Sequence, residues 1–117
     1  MKSKIKTLLW VVLGLLFVVA GIDKLVSDPV QVRHFAEWGY PLWFLYLTGV
    51  IELGGGLSLF FPQVRLYGIL VLSTTMLGAV FTHLKAGEWG AFPIPLILLA
   101  LLLTLAWTEK NRPSSSS

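Results

Sequence analysis

The chain has no cysteine and little charge. The lack of cysteine excludes disulfides, iron–sulfur ligation, zinc–thiolate sites and thiol redox chemistry within the chain. Only 13% of the residues are charged, whereas 56% are hydrophobic. A soluble domain has about 25% charged residues, so this chain has too little charge to cover a soluble surface. The composition therefore predicts an integral membrane protein.

Four long, neutral or nearly neutral stretches account for the apolar excess, at residues 7–22, 38–64, 66–84 and 89–108. Each is close to the roughly 17–25 residues that a helix needs to cross the hydrocarbon core. A cleaved signal peptide is the alternative interpretation of the first stretch, because its start is basic.

We predict an all-α fold, an integral membrane four-helix up-down bundle with a short interfacial helix in the first external loop. The predicted spans cover about 6–26, 42–61, 65–86 and 91–108. Residues 1–110 form a single membrane domain in this prediction, and 111–117 form a disordered cytoplasmic tail.

The basic residues lie mostly on one side of the predicted spans. Six of the nine precede the first span, separate the second from the third, or follow the fourth: Lys2, Lys4, Lys6, Arg65, Lys110 and Arg112. Because cytoplasmic loops carry an excess of Lys and Arg, we predict a multi-pass protein of the cell membrane with both termini cytoplasmic. Orientation and contact with the lipid bilayer explain the net charge of +3, which does not indicate a nucleic-acid partner.

The first external loop carries the signals of a short amphipathic helix. Asp28 followed by Pro29 is typical of a helix N-cap with proline at the first helical position. The apolar side of this helix, including Phe35, is expected on the membrane surface. His34 is expected to be a solvated surface residue, and Trp38, like the other tryptophans, an interfacial anchor.

Glu52 is the only charge between residues 38 and 64 and lies near the middle of the second span. A carboxylate there costs roughly 2.5–3.5 kcal/mol on insertion scales, so it is rare without a partner or a polar cavity. Gly49 and Gly55 share its helical face and let another helix approach, which directs Glu52 into the bundle. Glu52 is then either a packing residue that fixes helix register or part of a functional site.

Three more polar residues can approach Glu52 in the outer half of the bundle. Lys24 follows Asp23 at the outer end of the first span, and His83 lies about one turn from the outer end of the third. The candidates for a ligand-binding site or polar core are therefore Glu52, His83, Lys24 and Asp23. No catalytic residue is assigned, no residue spacing suggests a metal site, and the sequence leaves open whether Lys24 or His83 pairs with Glu52.

A series of short motifs resembles the DoxX and DoxX-like family of small four-span membrane proteins. The motifs are Gly21-Ile22-Asp23-Lys24, Phe35, Gly39-Tyr40-Pro41, Gly49-Val50-Ile51-Glu52-Leu53-Gly54-Gly55-Gly56-Leu57, Arg65, Met76 and His83. The resemblance implies a four-helix membrane bundle with Lys24, Glu52 and His83 as characteristic polar positions. It also implies an association with membrane redox work, including thiosulfate oxidation coupled to quinone and oxidative-stress complexes, or, in a eukaryotic branch, with receptor assembly.

Three functions are compatible with this sequence. The first is an accessory subunit of a membrane redox or stress-response system, with no built-in cofactor and a quinone-like ligand near Glu52 and His83. The second is an assembly or chaperone-like factor for membrane proteins, and the third is a proton-coupled small transporter. Another membrane or membrane-associated protein is the expected partner. The sequence leaves open a homo-oligomer and any catalytic activity of the chain itself, although an accessory subunit fits better than a self-sufficient enzyme.

Overall fold

The protein consists of five helices joined by short connections. The computed structural model describes residues 3–110, and the predicted tail at 111–117 lies outside the described residues. In chain order the helices are α1 (Ser3–Leu25), α2 (Pro29–Glu37), α3 (Leu42–Ser58), α4 (Arg65–Lys85) and α5 (Pro93–Lys110). Residues 3–110 contain no strand. The prediction of an all-α fold is therefore confirmed.

The short helix α2 begins as the sequence predicts, but Phe35 on its apolar side is buried within the protein. The Asp28 carboxylate accepts hydrogen bonds from the N–H groups of Val30 and Gln31, and Pro29 is the first helical residue. Phe35, which we expected on the membrane surface, is instead buried, and its ring packs against that of Phe44 in α3. The expectation for Phe35 was wrong because this part of α2 packs against α3, whereas Val30 at the start of the same side is 46% exposed.

Helix α3 ends three residues earlier than predicted. Beyond Ser58, the N–H groups of residues 59–61 bond to carbonyl groups only three residues back. This tighter winding is typical of the last turn of a helix. Pro62 has no N–H to bond to the Ser58 carbonyl four residues back, and its ring would clash with that carbonyl, which explains why the helix ends here. As a result α3 has 17 residues, about 25 Å by helical rise.

Helices α1 and α3 cross with their backbones in contact. A Cβ atom at Gly21 would lie 2.6 Å from the backbone nitrogen of Leu53 and 2.7 Å from the carbonyl oxygen of Gly49. Two turns away, a Cβ atom at Gly56 would lie 3.0 Å from the carbonyl oxygen of Gly14. An early glycine of α1 thus meets a late glycine of α3, so the two helices run antiparallel.

Helix α4 packs against both α3 and α5. Its approach to α3 is also close, because a Cβ atom at Gly68 would lie 2.8 Å from the carbonyl oxygen of Gly55. Buried apolar side chains fill the half of the molecule near the start of α1 and the α3–α4 connection. They are Trp10, Leu13, Phe17, Leu59, Ile69, Leu72, Met76, Leu102 and Leu105. A cavity lies in the other half, under α2.

The outward faces of the long helices are apolar. Leu8 on α1 is 61% exposed and Leu77 on α4 is 60% exposed. Contiguous exposed apolar surface marks contact with lipid or with a partner. Among the described residues, Lys4–Leu25 and Arg65–Lys85 are long and apolar enough to cross a membrane, and Leu42–Ser58 and Pro93–Thr108 are shorter apolar helices.

Candidate functional site

A cavity of about 610 Å³ lies between the helices in the half of the molecule that α2 covers. Residues of all five helices line it. The side chains that give the cavity its chemical character are Lys24, His34, Phe35, Trp38, Tyr40, Phe44, Thr48, Glu52, Thr82 and His83. Aromatic rings therefore form much of the wall, and the charged groups lie at separate places within it.

Lys24 and Glu52 form a buried ion pair at this cavity. The Lys24 Nζ lies 2.8 Å from the Glu52 Oε1, and the two side chains are only 11% and 6% exposed. Within the described part of the chain, no donor reaches that Oε1 with the angles of a hydrogen bond. The charge of Glu52 is thus balanced by Lys24, and the Oε1 that contacts Lys24 is itself closed to solvent.

The crossing of α1 and α3 explains why these two residues meet. Lys24 follows Gly21 by three residues and Glu52 follows Gly49 by three, so each lies one turn beyond a contacting glycine. A Cβ atom at Gly49 would lie 3.0 Å from the Cβ of Lys24. The helices therefore approach closely enough for the lysine to reach the middle of α3.

His83 contacts Glu88, in the connection between α4 and α5. The His83 Nδ1 lies 2.7 Å from the Glu88 Oε1. The indole Nε1 of Trp38 donates to the same carboxylate, at 3.2 Å from Oε1 and 3.3 Å from Oε2. The rings of Trp38 and His83 also meet edge to face, with centroids 5.4 Å apart. We call Trp38, His83 and Glu88 the outer cluster; it joins the end of α2 to the end of α4.

The hydrogen bond with His83 lowers the pKa of Glu88 below its ordinary value of 4.5. The hydrogen bond from Trp38 acts in the same direction, whereas partial burial opposes the shift. The outer cluster therefore keeps Glu88 ionised at neutral pH and into the acidic range.

We expect Glu88→Gln to remove a contribution to stability that is present near neutral pH and is lost in acid. A carboxyl group whose pKa is lowered by folding stabilises the folded protein above its unfolded pKa, and this stabilisation disappears as the pH falls through the folded pKa. The unmodified protein should thus have the higher thermal midpoint at about pH 6, and the difference should shrink towards about pH 3. Thermal unfolding in detergent measures this, with exposed Glu37→Gln as the control. A difference that stays constant over this range would contradict the assignment.

Hydroxyl groups hold the aromatic wall in place. The Tyr40 hydroxyl lies 2.7 Å from the Thr82 Oγ1, which donates to the Gly78 carbonyl at 2.9 Å. The Tyr40 ring packs edge to face against Phe44, at 5.2 Å between centroids. Each ring is thus supported by neighbours on other helices. The wall thus has the edge-on packing that pairs of aromatic rings favour.

The structure brings together some of the predicted site residues and separates others. Lys24, Glu52 and His83 line the same cavity, but the contacts pair Lys24 with Glu52 and His83 with Glu88. Asp23 is exposed and does not line the cavity. His34 is half-buried and lines the cavity, so the expectation of a solvated surface residue was wrong. Within residues 3–110, no group of three or more His, Asp or Glu side chains is arranged to hold a metal ion.

Sequence reasoning also missed Glu88, which lies outside the cavity lining and contacts His83 and Trp38, because its loop carries no catalytic motif. A local signal was present in Gly87, which follows the last turn of α4. Gly87 has φ +75°, and the Glu88 N–H donates to the His83 carbonyl oxygen at 2.8 Å. This is the hydrogen bond of a Schellman helix end, which folds the residue after glycine back onto the helix. It explains why Glu88 returns to His83.

Comparison with known proteins identifies relatives over most of the chain. A sequence model of the DoxX-like family matches residues 8–105. "Uncharacterized protein YdgD" of Bacillus subtilis (strain 168) is 32% identical over 105 residues, which cover 86% of this chain and 92% of that protein. "Putative oxidoreductase CatD" of the same organism is 34% identical over 103 residues, which cover 86% of this chain and 76% of that protein. No solved structure gives a significant match. The matched region includes Lys24, Glu52 and His83.

Proposed function

The chain belongs to the DoxX-like family of membrane proteins, and from this premise we propose that it is an accessory subunit of a membrane redox or stress-response system. In this role it binds a quinone-like molecule, and a membrane or membrane-associated partner carries out the electron transfer. The observation that carries the proposal is the buried Lys24–Glu52 ion pair, which opens onto an aromatic cavity of about 610 Å³. The oxidoreductase name of the relative CatD supports the same direction.

The polar groups of the cavity can form hydrogen bonds with both the oxidised and the reduced form of a quinone-like ligand. The Lys24 ammonium is a donor for a carbonyl oxygen at the edge of a quinone ring. The carboxylate of Glu52, which lines the same cavity, is an acceptor for the hydroxyl of the reduced form. A bound quinone would supply the capacity to take up and release electrons together with protons. The protein's own residues, Lys24 and the Glu52 carboxylate, would orient the ring.

The distribution of packing supports a binding site over a transport path. The cavity lies under α2, whereas closely packed apolar side chains such as Leu13, Leu72 and Leu102 fill the other half. A ligand that enters the cavity therefore meets a closed core. This arrangement favours a pocket with one closed end, and for this reason we rank the accessory subunit above the proton-coupled transporter.

We also propose that α1, α3, α4 and α5 span the cell membrane with both termini in the cytoplasm. The cysteine-free chain allows a direct test with single thiols. The exposed positions are Gln63 in the α3–α4 connection and Gly90 in the α4–α5 connection. In spheroplasts, a membrane-impermeant maleimide should label Gly90→Cys and leave Gln63→Cys unlabelled until the membrane is permeabilised. The reverse labelling pattern, or labelling of both thiols in intact cells, would overturn the topology.

Binding of a quinone analogue should depend on Glu52. We expect Glu52→Gln to weaken binding of a short-chain ubiquinone analogue by about tenfold or more, because a hydrogen bond to a charged group contributes about 1.5–3 kcal/mol. Titration of the purified protein, followed by tryptophan fluorescence, measures this affinity. Asp23→Asn is the matched control, since it neutralises an exposed carboxylate outside the cavity. Equal affinity of Glu52→Gln and the unmodified protein would refute the proposed site.

A further inference from the structure

The outer half of α4 carries a shallow apolar groove on its exposed side. The groove is lined by Thr74, Leu77, Gly78, Val80, Phe81 and Leu84. From the first to the last of these residues it extends about 15 Å along the helix, by helical rise. Its one hydroxyl, on Thr74, donates to the Leu70 carbonyl oxygen at 2.9 Å. The groove therefore offers an apolar surface to whatever lies beside α4.

This groove is continuous with the cavity. Thr74, Gly78 and Phe81 line both, and their spacing of four and three residues puts them on one stripe of α4. All three are exposed. The stripe thus forms a shared rim, along which the cavity on one side meets the groove on the other. The rim is lowest at Gly78, where a Cβ atom would meet nothing within 4 Å.

We propose that the gap at Gly78 is a lateral entrance from the bilayer, and that the ligand is a long-chain membrane amphiphile. Its head group lies beside Lys24 and Glu52, and its alkyl tail passes over Gly78 into the groove on α4. The separation of polarity supports this assignment, because the ion pair lies inside the cavity and the groove is apolar. The quinone nature of the head group rests on the proposed function, whereas the entrance and the tail do not.

A thiol placed inside the cavity tests the entrance without any quinone. Thr48 lines the cavity from α3, whereas the rim lies on α4, so Thr48→Cys in this cysteine-free chain provides one reactive group. In reconstituted vesicles, N-dodecylmaleimide reports entry of a long-chain amphiphile, and N-ethylmaleimide reports entry of a small reagent. The second substitution is Gly78→Leu. Gly54→Leu is the matched control, because Gly54 is also an exposed helical glycine with open space around it.

We expect Gly78→Leu to slow labelling by N-dodecylmaleimide by about tenfold while labelling by N-ethylmaleimide changes by less than about twofold. Gly54→Leu should leave both rates unchanged. If Gly78→Leu leaves the long-chain rate unchanged, or slows both reagents equally, the lateral entrance is wrong. Titration with quinones of increasing tail length tests the proposed function separately. If no quinone binds, the proposed function is wrong. The maleimide labelling rates decide the lateral entrance in either case.

Discussion

Lys24→Met should destabilise the protein by about 3–5 kcal/mol, because it leaves the Glu52 carboxylate buried without its counter-charge. The two side chains are 11% and 6% exposed, so water cannot replace the lysine readily. Methionine preserves most of the length and packing of the lysine stem. The expected loss therefore reports the missing charge rather than a cavity. Unfolding by SDS titration in mixed micelles, at neutral pH, measures the change in free energy.

Two further variants make this prediction specific. Lys85→Met removes an exposed lysine whose Nζ lies 5.7 Å from the centre of the Tyr40 ring, and it should cost at most about 1 kcal/mol. The double variant Lys24→Met with Glu52→Gln removes both charges together and should recover a large part of the loss, since a neutral pair needs no counter-charge. If the double variant is as unstable as Lys24→Met alone, packing rather than the ion pair stabilises this position.

Gly21→Ala should destabilise the protein by about 1–3 kcal/mol, the usual effect of overpacking a close contact. The added Cβ would lie 2.6 Å from the backbone nitrogen of Leu53 and 2.7 Å from the carbonyl oxygen of Gly49. Backbone atoms cannot rotate away as a side chain can, so α1 and α3 must separate. This separation would also move Lys24 away from Glu52. Weaker quinone binding should therefore accompany the loss of stability.

Gly54→Ala is the matched control for this substitution, because a Cβ atom at Gly54 meets nothing within 4 Å. It should be neutral or slightly stabilising, since alanine has a higher helix propensity than glycine by about 1 kcal/mol. The same SDS titration compares both variants. Equal losses of folding free energy for Gly21→Ala and Gly54→Ala would show that the destabilisation arises within a single helix and not from the contact between α1 and α3.

The sequence predicted the helical elements well, because the signals for them are local. Long apolar stretches gave the positions of the long helices, and Asp28 with Pro29 gave the start of α2. The end of α3 was placed three residues too late, because the tighter turns after Ser58 leave the apolar pattern unchanged. The pattern of apolar residues shows which segments avoid contact with water. It does not show where the backbone hydrogen bonding changes from the α-helical form to a tighter one.

The candidate site was predicted only in part. Glu52 and Lys24 were identified from charge and depth, but their pairing depends on how closely two helices cross at Gly21 and Gly49. The partner of His83 was not identified, because Glu88 reaches it through a turn after the end of α4. Trp38 was expected to be an interfacial anchor, whereas its indole nitrogen donates to Glu88. Each missed contact involves residues whose relation is set by a turn or by a crossing angle.

The amino-acid sequence by itself determined that this protein is helical, apolar on its outside and poor in charge, because composition and periodicity act residue by residue. It also determined that a carboxylate lies deep within an apolar helix. Only the tertiary structure decided that Lys24 balances this carboxylate, that Glu88 engages His83, and that a cavity remains between the helices. A cavity is the volume that packed helices leave unfilled, so it depends on their distances and crossing angles, which no local pattern encodes.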